Sequence, residues 1–282
     1  MEKVTIFDTG YFYADGGAMF GAIPKTAWNH KYLSDAQNGC ILAMRSMLVK
    51  IGERYILIDA GAGNKHLKAL SYYRFFGLKD IQEELQMLGI KPETITDVVL
   101  THLHFDHCGG CTYRDDNNQL QLTFPNAIHW VSKPQWTNFH EPHPLERNSF
   151  FLEDMKPIEN AGMLKLIDHT QLIYPYLTLR LADGHTPGQI VPYVETDTET
   201  LVFAGDVIPL FASLSPEWIS AYDLSPTISY DEKTKLLKEA VFHHHRIVYC
   251  HDAYTLSSRV KQTTNGLFLP ERESIVYTDP PL

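Results

Sequence analysis

Thr101-His102-Leu103-His104-Phe105-Asp106-His107-Cys108-Gly109-Gly110 places three imidazoles and one carboxylate within six positions, directly after the apolar run Val98-Val99-Leu100. A single histidine is more often a surface or satisfied core residue than a ligand. Clustered at this density, the reading reverses and a metal site is predicted. In extended backbone, residues two apart face the same way, so His102 and His104 can hold one ion from one side of a strand end. If the chain then turns into a helix, Asp106 and His107 leave that line and reach a second ion. Gly109 and Gly110 let backbone pack closely at the turn. Two ions fit this pattern better than one.

Three stretches far down the chain share one form, a short apolar strand running into a polar ligand. Leu177-Thr178-Leu179-Arg180-Leu181 leads to His185, Thr200-Leu201-Val202-Phe203-Ala204 leads to Asp206, and Arg246-Ile247-Val248-Tyr249-Cys250 leads to His251. With HxHxDH first and these in order behind it, the sequence resembles the metallo-β-lactamase-fold hydrolases over most of its length. The resemblance implies an α/β chain with a four-layer αββα fold, two mixed β-sheets sandwiched between helices. It implies that His102, His104 and His185 hold the first metal, that Asp106, His107 and His251 hold the second, and that Asp206 bridges them. Within the same resemblance, Asp106 is the catalytic residue that orients a hydroxide bridging the two metals, and Asp59 of Asp59-Ala60-Gly61-Ala62-Gly63 supports the site from outside the ligand set.

The ligand pattern narrows the superfamily. Zinc β-lactamases typically lack the bridging Asp, and flavodiiron proteins carry Glu where this chain has His104. Gly17-Ala18-Met19-Phe20-Gly21 and Pro24-Lys25-Thr26-Ala27-Trp28 resemble a segment of the lactonase-related branch. The aromatic and proline-rich stretch from about 132 to 162 resembles the cap of lactonase-like and organophosphate-hydrolase-like members. The implied activity is hydrolysis of an ester-like bond, a lactone or carboxylic ester first. Phosphotriester or phosphodiester hydrolysis (a nuclease included), thioester hydrolysis and a non-catalytic metal-binding regulator are the alternatives. One departure stands out: lactonases commonly carry Tyr three positions after the bridging Asp, where this chain has Pro209, so polarising a lactone carbonyl would need the metal alone or another group such as Tyr222 or Tyr254. His and carboxylate donors suit two divalent ions, zinc first, with Mn, Fe or Co as alternatives.

The 282 residues suit one domain, 1–282, with the cap-like insertion at about 132–162. A net charge of −10 disfavours nucleic acid, whose binding needs Lys and Arg against phosphates. The expected partner is a small apolar or amphiphilic substrate. No apolar run reaches the roughly 20 residues of a membrane span. The N-terminus reads as a strand and not a signal peptide, and four scattered cysteines fit reduced thiols, so a cytoplasmic location is expected.

Local patterns predict strands over Val4–Asp8, Ile41–Lys50, Tyr55–Ile58, Thr96–Leu100 and Ile128–Val131, with a long loop over Gly10–Pro24. Helices are predicted over about Leu78–Leu88, before Gly89, and over Asp231–Phe242, with Asp231 and Glu232 at its positive end. His243-His244-His245 then read as ordinary C-terminal residues. Cys108 and Cys111 read as packing residues, His140 and His143 as non-ligands, and Cys250 as a core residue pointing away from His251.

Overall fold

Alternation does not stop at Asp8. Phe12 and Ala14 are buried while Tyr11 and Tyr13 are half-buried, a period of two carried by aromatic residues that favour strands. The first strand therefore runs over Lys3–Asp15 (β1), and the expected loop shrinks to the residues after Asp15. That remainder also contains two short helices, Gly16–Phe20 (α1) and Lys25–Trp28 (α2). The computed structural model describes residues 3–279, so Met1 and Glu2 lie outside the described residues.

Strands Gly39–Ile51 (β2) and Arg54–Ile58 (β3) pair antiparallel around a tight turn in which Gly52 has φ +56°. Helix Ile81–Met87 (α3) starts later than its apolar spacing suggested, because Asp80 caps it: its Oδ1 accepts from the Gln82 N–H at 2.7 Å. Then come Asp97–Val99 (β4), the single helical turn Phe105–Cys108 (α4), the hairpin Thr112–Arg114 (β5) and Leu120–Leu122 (β6), and Ile128–Ser132 (β7). Helices Lys133–His140 (α5) and Leu152–Asn160 (α6) follow, and Leu164–Ile167 (β8) comes next. The remaining strands are Gln171–Tyr174 (β9), Leu177–Ala182 (β10), Gln189–Glu195 (β11), Thr200–Phe203 (β12), Arg246–Val248 (β13), Thr255–Gln262 (β14), Phe268–Pro270 (β15) and Val276–Tyr277 (β16). Helix Pro226–His243 (α7) separates β12 from β13.

Both mixed sheets implied by the resemblance are present. One has the order β1-β2-β3-β4-β7-β8, with β3, β4, β7 and β8 parallel to one another. The other has the order β15-β14-β13-β12-β11-β10-β9, antiparallel except for β12 with β13. The chain forms two compact units, residues 1–11 with 44–170 and residues 12–43 with 171–282. The first has its core around Leu57, Val98, Leu103, Phe124 and Val131, all fully buried; Cys108 and Cys111 belong to it as packing residues. The core of the second gathers Val202, Ile208, Leu237, Ile247 and Tyr249. No helix of the described residues is long and apolar enough to cross a membrane.

Helix α7 begins five residues before its predicted start, because Pro226 occupies the first helical turn, where a missing N–H costs nothing. Asp231 and Glu232 therefore do not sit at its positive end. Glu232 instead accepts the N–H groups of Asp183 and Gly184 at 2.7 and 3.0 Å, which shapes the turn before His185. At the far end His244 closes the helix at φ +57°.

The first unit also buries a charged pair. The Arg45 guanidinium is fully buried and its Nε meets Asp8 Oδ1 at 2.8 Å, while the Tyr11 hydroxyl donates to Asp8 Oδ2 at 3.0 Å. Removing Asp8 takes a carboxylate from beside a guanidinium held in a low-dielectric interior. Asp8→Ala is expected to cost about 3 kcal/mol of folding stability, read from chemical denaturation. A loss below about 1 kcal/mol, the level of a surface pair, would refute this account.

Candidate metal centre

The chain leaves β4 at Val99, is extended at His104 (φ −65°, ψ 149°) and enters α4 at Phe105. The turn into a helix that the two-ion reading required is present, with Asp106 and His107 on it, while β4 has ended three residues before His102. The segment 60–63 packs against the motif backbone to backbone: Ala60 N donates to His107 O at 2.7 Å and Gly110 N to Gly61 O at 2.8 Å. A Cβ on Gly109 would lie 2.2 Å from Ala62 O, and one on Gly110 would lie 2.1 Å from Ala60 O. Only glycine allows that approach.

In the first unit His102 Nε2 and His104 Nδ1 lie 3.0 Å apart, and His107 Nε2 is 3.7 Å from Asp106 Oδ2. The second unit gathers its own three candidates around one carboxylate. Asp206 places Oδ2 3.3 Å from His185 Nε2 and Oδ1 3.1 Å from His251 Nε2. His185 stands where a Cβ on Gly184 would strike Ser229 N at 2.4 Å, and Asp206 sits on a 3-10 turn, Gly205–Val207. His251 is held by backbone on both sides, its N–H donating to Pro209 O at 3.1 Å and its carbonyl accepting from Ala43 N at 2.9 Å.

Whether these groups suit metal ions is tested by their outer nitrogens. A metal-bound imidazole usually donates its second N–H to an oxygen, which fixes the tautomer and the ring plane. All five candidate histidines meet this condition. His107 Nδ1 lies 2.7 Å from Asp59 Oδ2, His185 Nδ1 lies 2.9 Å from Asp223 Oδ1, and His104 Nε2 lies 3.1 Å from Glu146 Oε2. His251 Nδ1 lies 2.8 Å from Ala43 O. His102 Nδ1 lies 3.1 Å from Thr101 Oγ1, whose own proton goes to Asp59 Oδ2 at 2.8 Å, leaving the hydroxyl oxygen as acceptor. Each ring thereby turns its other nitrogen, with its lone pair, toward the neighbouring candidate ligands. Converging lone pairs and carboxylates repel one another unless a cation joins them. The residues therefore fit divalent ions.

Burial disfavours a charged His251, yet Cys250 and the Asp206 carboxylate outweigh it and raise its pKa well above the usual imidazole range.

Asp59, expected to support the site from outside the ligand set, meets Thr101 and His107 of the motif. It is buried, sits at φ +56°, and accepts from Thr101 N, Thr101 Oγ1 and His107 Nδ1. Cys250 is buried as expected, but it does not point away. Its Sγ lies 3.3 Å from Asp206 Oδ1, and Asp206, Cys250 and His251 offer three donor atoms within 4.8 Å of one another. The expectation assumed strand alternation up to residue 250, whereas β13 ends at Val248 and alternation ends with it. His140 is exposed, set edge-on to Trp136, and exposed His143 accepts from Leu145 N; neither joins the cluster in its unit. Glu146 and Asp223 were not foreseen. The requirement for an oxygen behind each ligand was available in advance, but it does not say which residue supplies it.

Residues 45–251 match the family described as the Metallo-beta-lactamase superfamily. The chain is 28% identical over 176 residues to the acyl-coenzyme A thioesterase MBLAC2 of Gallus gallus, covering 57% of this chain and 56% of that protein. It is 26% identical over 170 residues to an N-acyl homoserine lactonase of Bacillus cereus, covering 58% of each. The matches thus span a little over half the length of these relatives. Among solved structures, a probable metal-dependent hydrolase from Staphylococcus aureus superposes with a TM-score of 0.89 at 25% identity, covering 100% of this chain and 98% of that one.

Proposed function

Because the chain belongs to the metallo-β-lactamase superfamily, we propose that it is a metal-dependent hydrolase in which His102, His104, Asp106, His107, His185, Asp206 and His251 together hold two divalent ions, zinc first. The observation that carries this reading is the outer-nitrogen pattern: five histidines, each with an oxygen behind it. When bound, a pair of divalent ions supplies Lewis acidity and brings the pKa of water toward neutrality. The chain's own part is positional. Asp59, Thr101, Glu146, Asp223 and the Ala43 carbonyl set the imidazole tautomers, and Asp206 spans His185 and His251. We assign Asp106 to accept a hydrogen bond from the attacking water and orient it. Water adds to the acyl carbon, the bond to the leaving atom breaks, and the water's proton ends on that atom.

The substrate we propose is a lactone or carboxylic ester carrying an apolar acyl chain. Its support is the similarity to the lactonase and the half-buried Phe150 ring, 5.0 Å from the His104 ring. An acyl thioester is the second reading, favoured by the similarity to the thioesterase; both reactions transfer an acyl group to water. Pro209, in the lactonase Tyr position, serves His251 through its backbone carbonyl. Tyr222, exposed and next to Asp223, is the hydroxyl we assign to the substrate carbonyl. We read 1–282 as one domain, since β1 and β2 run unbroken through the boundaries of the two units. The net charge of −10 favours a small uncharged substrate over nucleic acid, and four free buried thiols fit a reducing cytoplasm.

Metal analysis of protein purified without chelator should find two ions per chain. A panel of γ-lactones with short and long acyl chains, aryl esters, acyl thioesters, a phosphotriester and a phosphodiester should show turnover of the carbon esters, lost on chelation. Cleavage of the phosphodiester alone, or one ion per chain at saturating metal, would overturn the proposal.

A further inference from the structure

Glu146 lies in the insertion, 42 residues beyond His104, yet its carboxylate is buried, with only 5% of the residue exposed. Both oxygens are engaged in ways the structure defines. Oε2 is 3.1 Å from His104 Nε2, and Oε1 accepts from Asn138 Nδ2 on α5 at 2.7 Å. The Phe150 ring lies 5.0 Å from the His104 ring, so residues 138–150 surround this imidazole with both a charge and an aromatic face. The rest of the insertion is held elsewhere. Asp154 on α6 meets Lys65 Nζ at 3.0 Å and His66 Nε2 at 2.8 Å, and Phe151 stacks on the His66 ring at 3.8 Å.

Resting on the reading of His104 as a metal ligand, we propose that Glu146 is a positioning residue for His104, and that through it metal binding and the order of residues 138–150 are coupled. Glu146 accepts the Nε2 proton of His104 and so leaves Nδ1, the nitrogen facing His102, as the lone-pair donor. An ion that selects this ring orientation also favours Glu146 in place, and with it Asn138 and the turn 147–149. By reciprocity, whatever the segment contributes to metal affinity the metal returns to the segment's order. Outer partners of this kind are worth roughly 10–100-fold in metal affinity. Helix α6, anchored by Asp154, does not share in the coupling.

The test uses the full chain. Zinc is titrated against a chromophoric chelator, and amide exchange is tracked across 133–160 with and without zinc, for the unaltered protein and for Glu146→Gln. The expected result is about 10-fold weaker binding of one of the two ions in E146Q, with the other unchanged. Zinc should protect residues 138–150 in the unaltered chain and lose that effect in E146Q, while α6 exchanges alike in all samples. Should E146Q fail to fold, Asn138→Ala, which frees the other end of the carboxylate, should show the same selective loss in smaller measure. Two ions bound by E146Q with unaltered affinity, or exchange over 138–150 indifferent to zinc, overturns the coupling. Failure of the unaltered chain to bind any ion overturns the metal reading itself, and the coupling with it.

Discussion

Asp206→Ala is expected to abolish hydrolysis, with a fall in kcat larger than the roughly 10–100-fold that loss of an outer partner costs. Asp206 reaches two histidines at once, His185 Nε2 at 3.3 Å and His251 Nε2 at 3.1 Å, and Cys250 Sγ at 3.3 Å. Alanine removes the only negative charge among those contacts and leaves nothing that spans them. Asp206→Asn is the sharper probe, because it keeps the shape. One amide face would present N–H donors to an imidazole nitrogen whose lone pair is needed, so a metal–ligand contact would be replaced by a hydrogen bond. Both variants should be measured for metal content and for turnover of the best substrate on the ester panel. Two ions per chain and unchanged kcat in D206N would falsify the bridging assignment.

Asp59→Asn is expected to fold and yet to lose metal. The carboxylate accepts three hydrogen bonds, from Thr101 N and Oγ1 at 2.8 Å each and from His107 Nδ1 at 2.7 Å. Asparagine tolerates the left-handed backbone at φ +56° and can still accept from Thr101 N through its carbonyl oxygen. Its amide nitrogen, however, donates toward His107 Nδ1 and drives the proton to Nε2, the nitrogen needed as ligand. The wrong tautomer in an intact frame costs a catalytic triad about 10⁴ in rate, and here the affected quantity is metal affinity, expected to fall at least 10–100-fold. Asp59→Ala should behave differently. It leaves buried donors unmet at about 1–3 kcal/mol each, and it puts alanine in a conformation costing about 1–2 kcal/mol. D59A should therefore lower the melting temperature of the metal-free protein sharply, and D59N should do so only slightly. Equal melting and equal metal loss in the two variants would show that Asp59 acts only by holding the fold.

The sequence by itself determined the ligand candidates and the backbone around each. Side-chain direction over two to four residues comes from the local period, so the strands leading to His185, Asp206 and His251 were legible before any coordinates, as was the need for a helical turn if Asp106 and His107 are to leave the line of His102 and His104. Cys250 marks the limit of that reasoning, since the period holds only as far as the strand does, and β13 stops at Val248. What only the tertiary structure decided is which oxygen stands behind each ring. Glu146 serves His104 across 42 residues, Asp223 serves His185 across 38, and the Ala43 carbonyl serves His251 across 208. No repeat or spacing links such pairs. They meet because apolar packing of whole elements brings distant segments to hydrogen-bonding distance, and packing responds to volume and burial, which the one-dimensional pattern does not encode position by position.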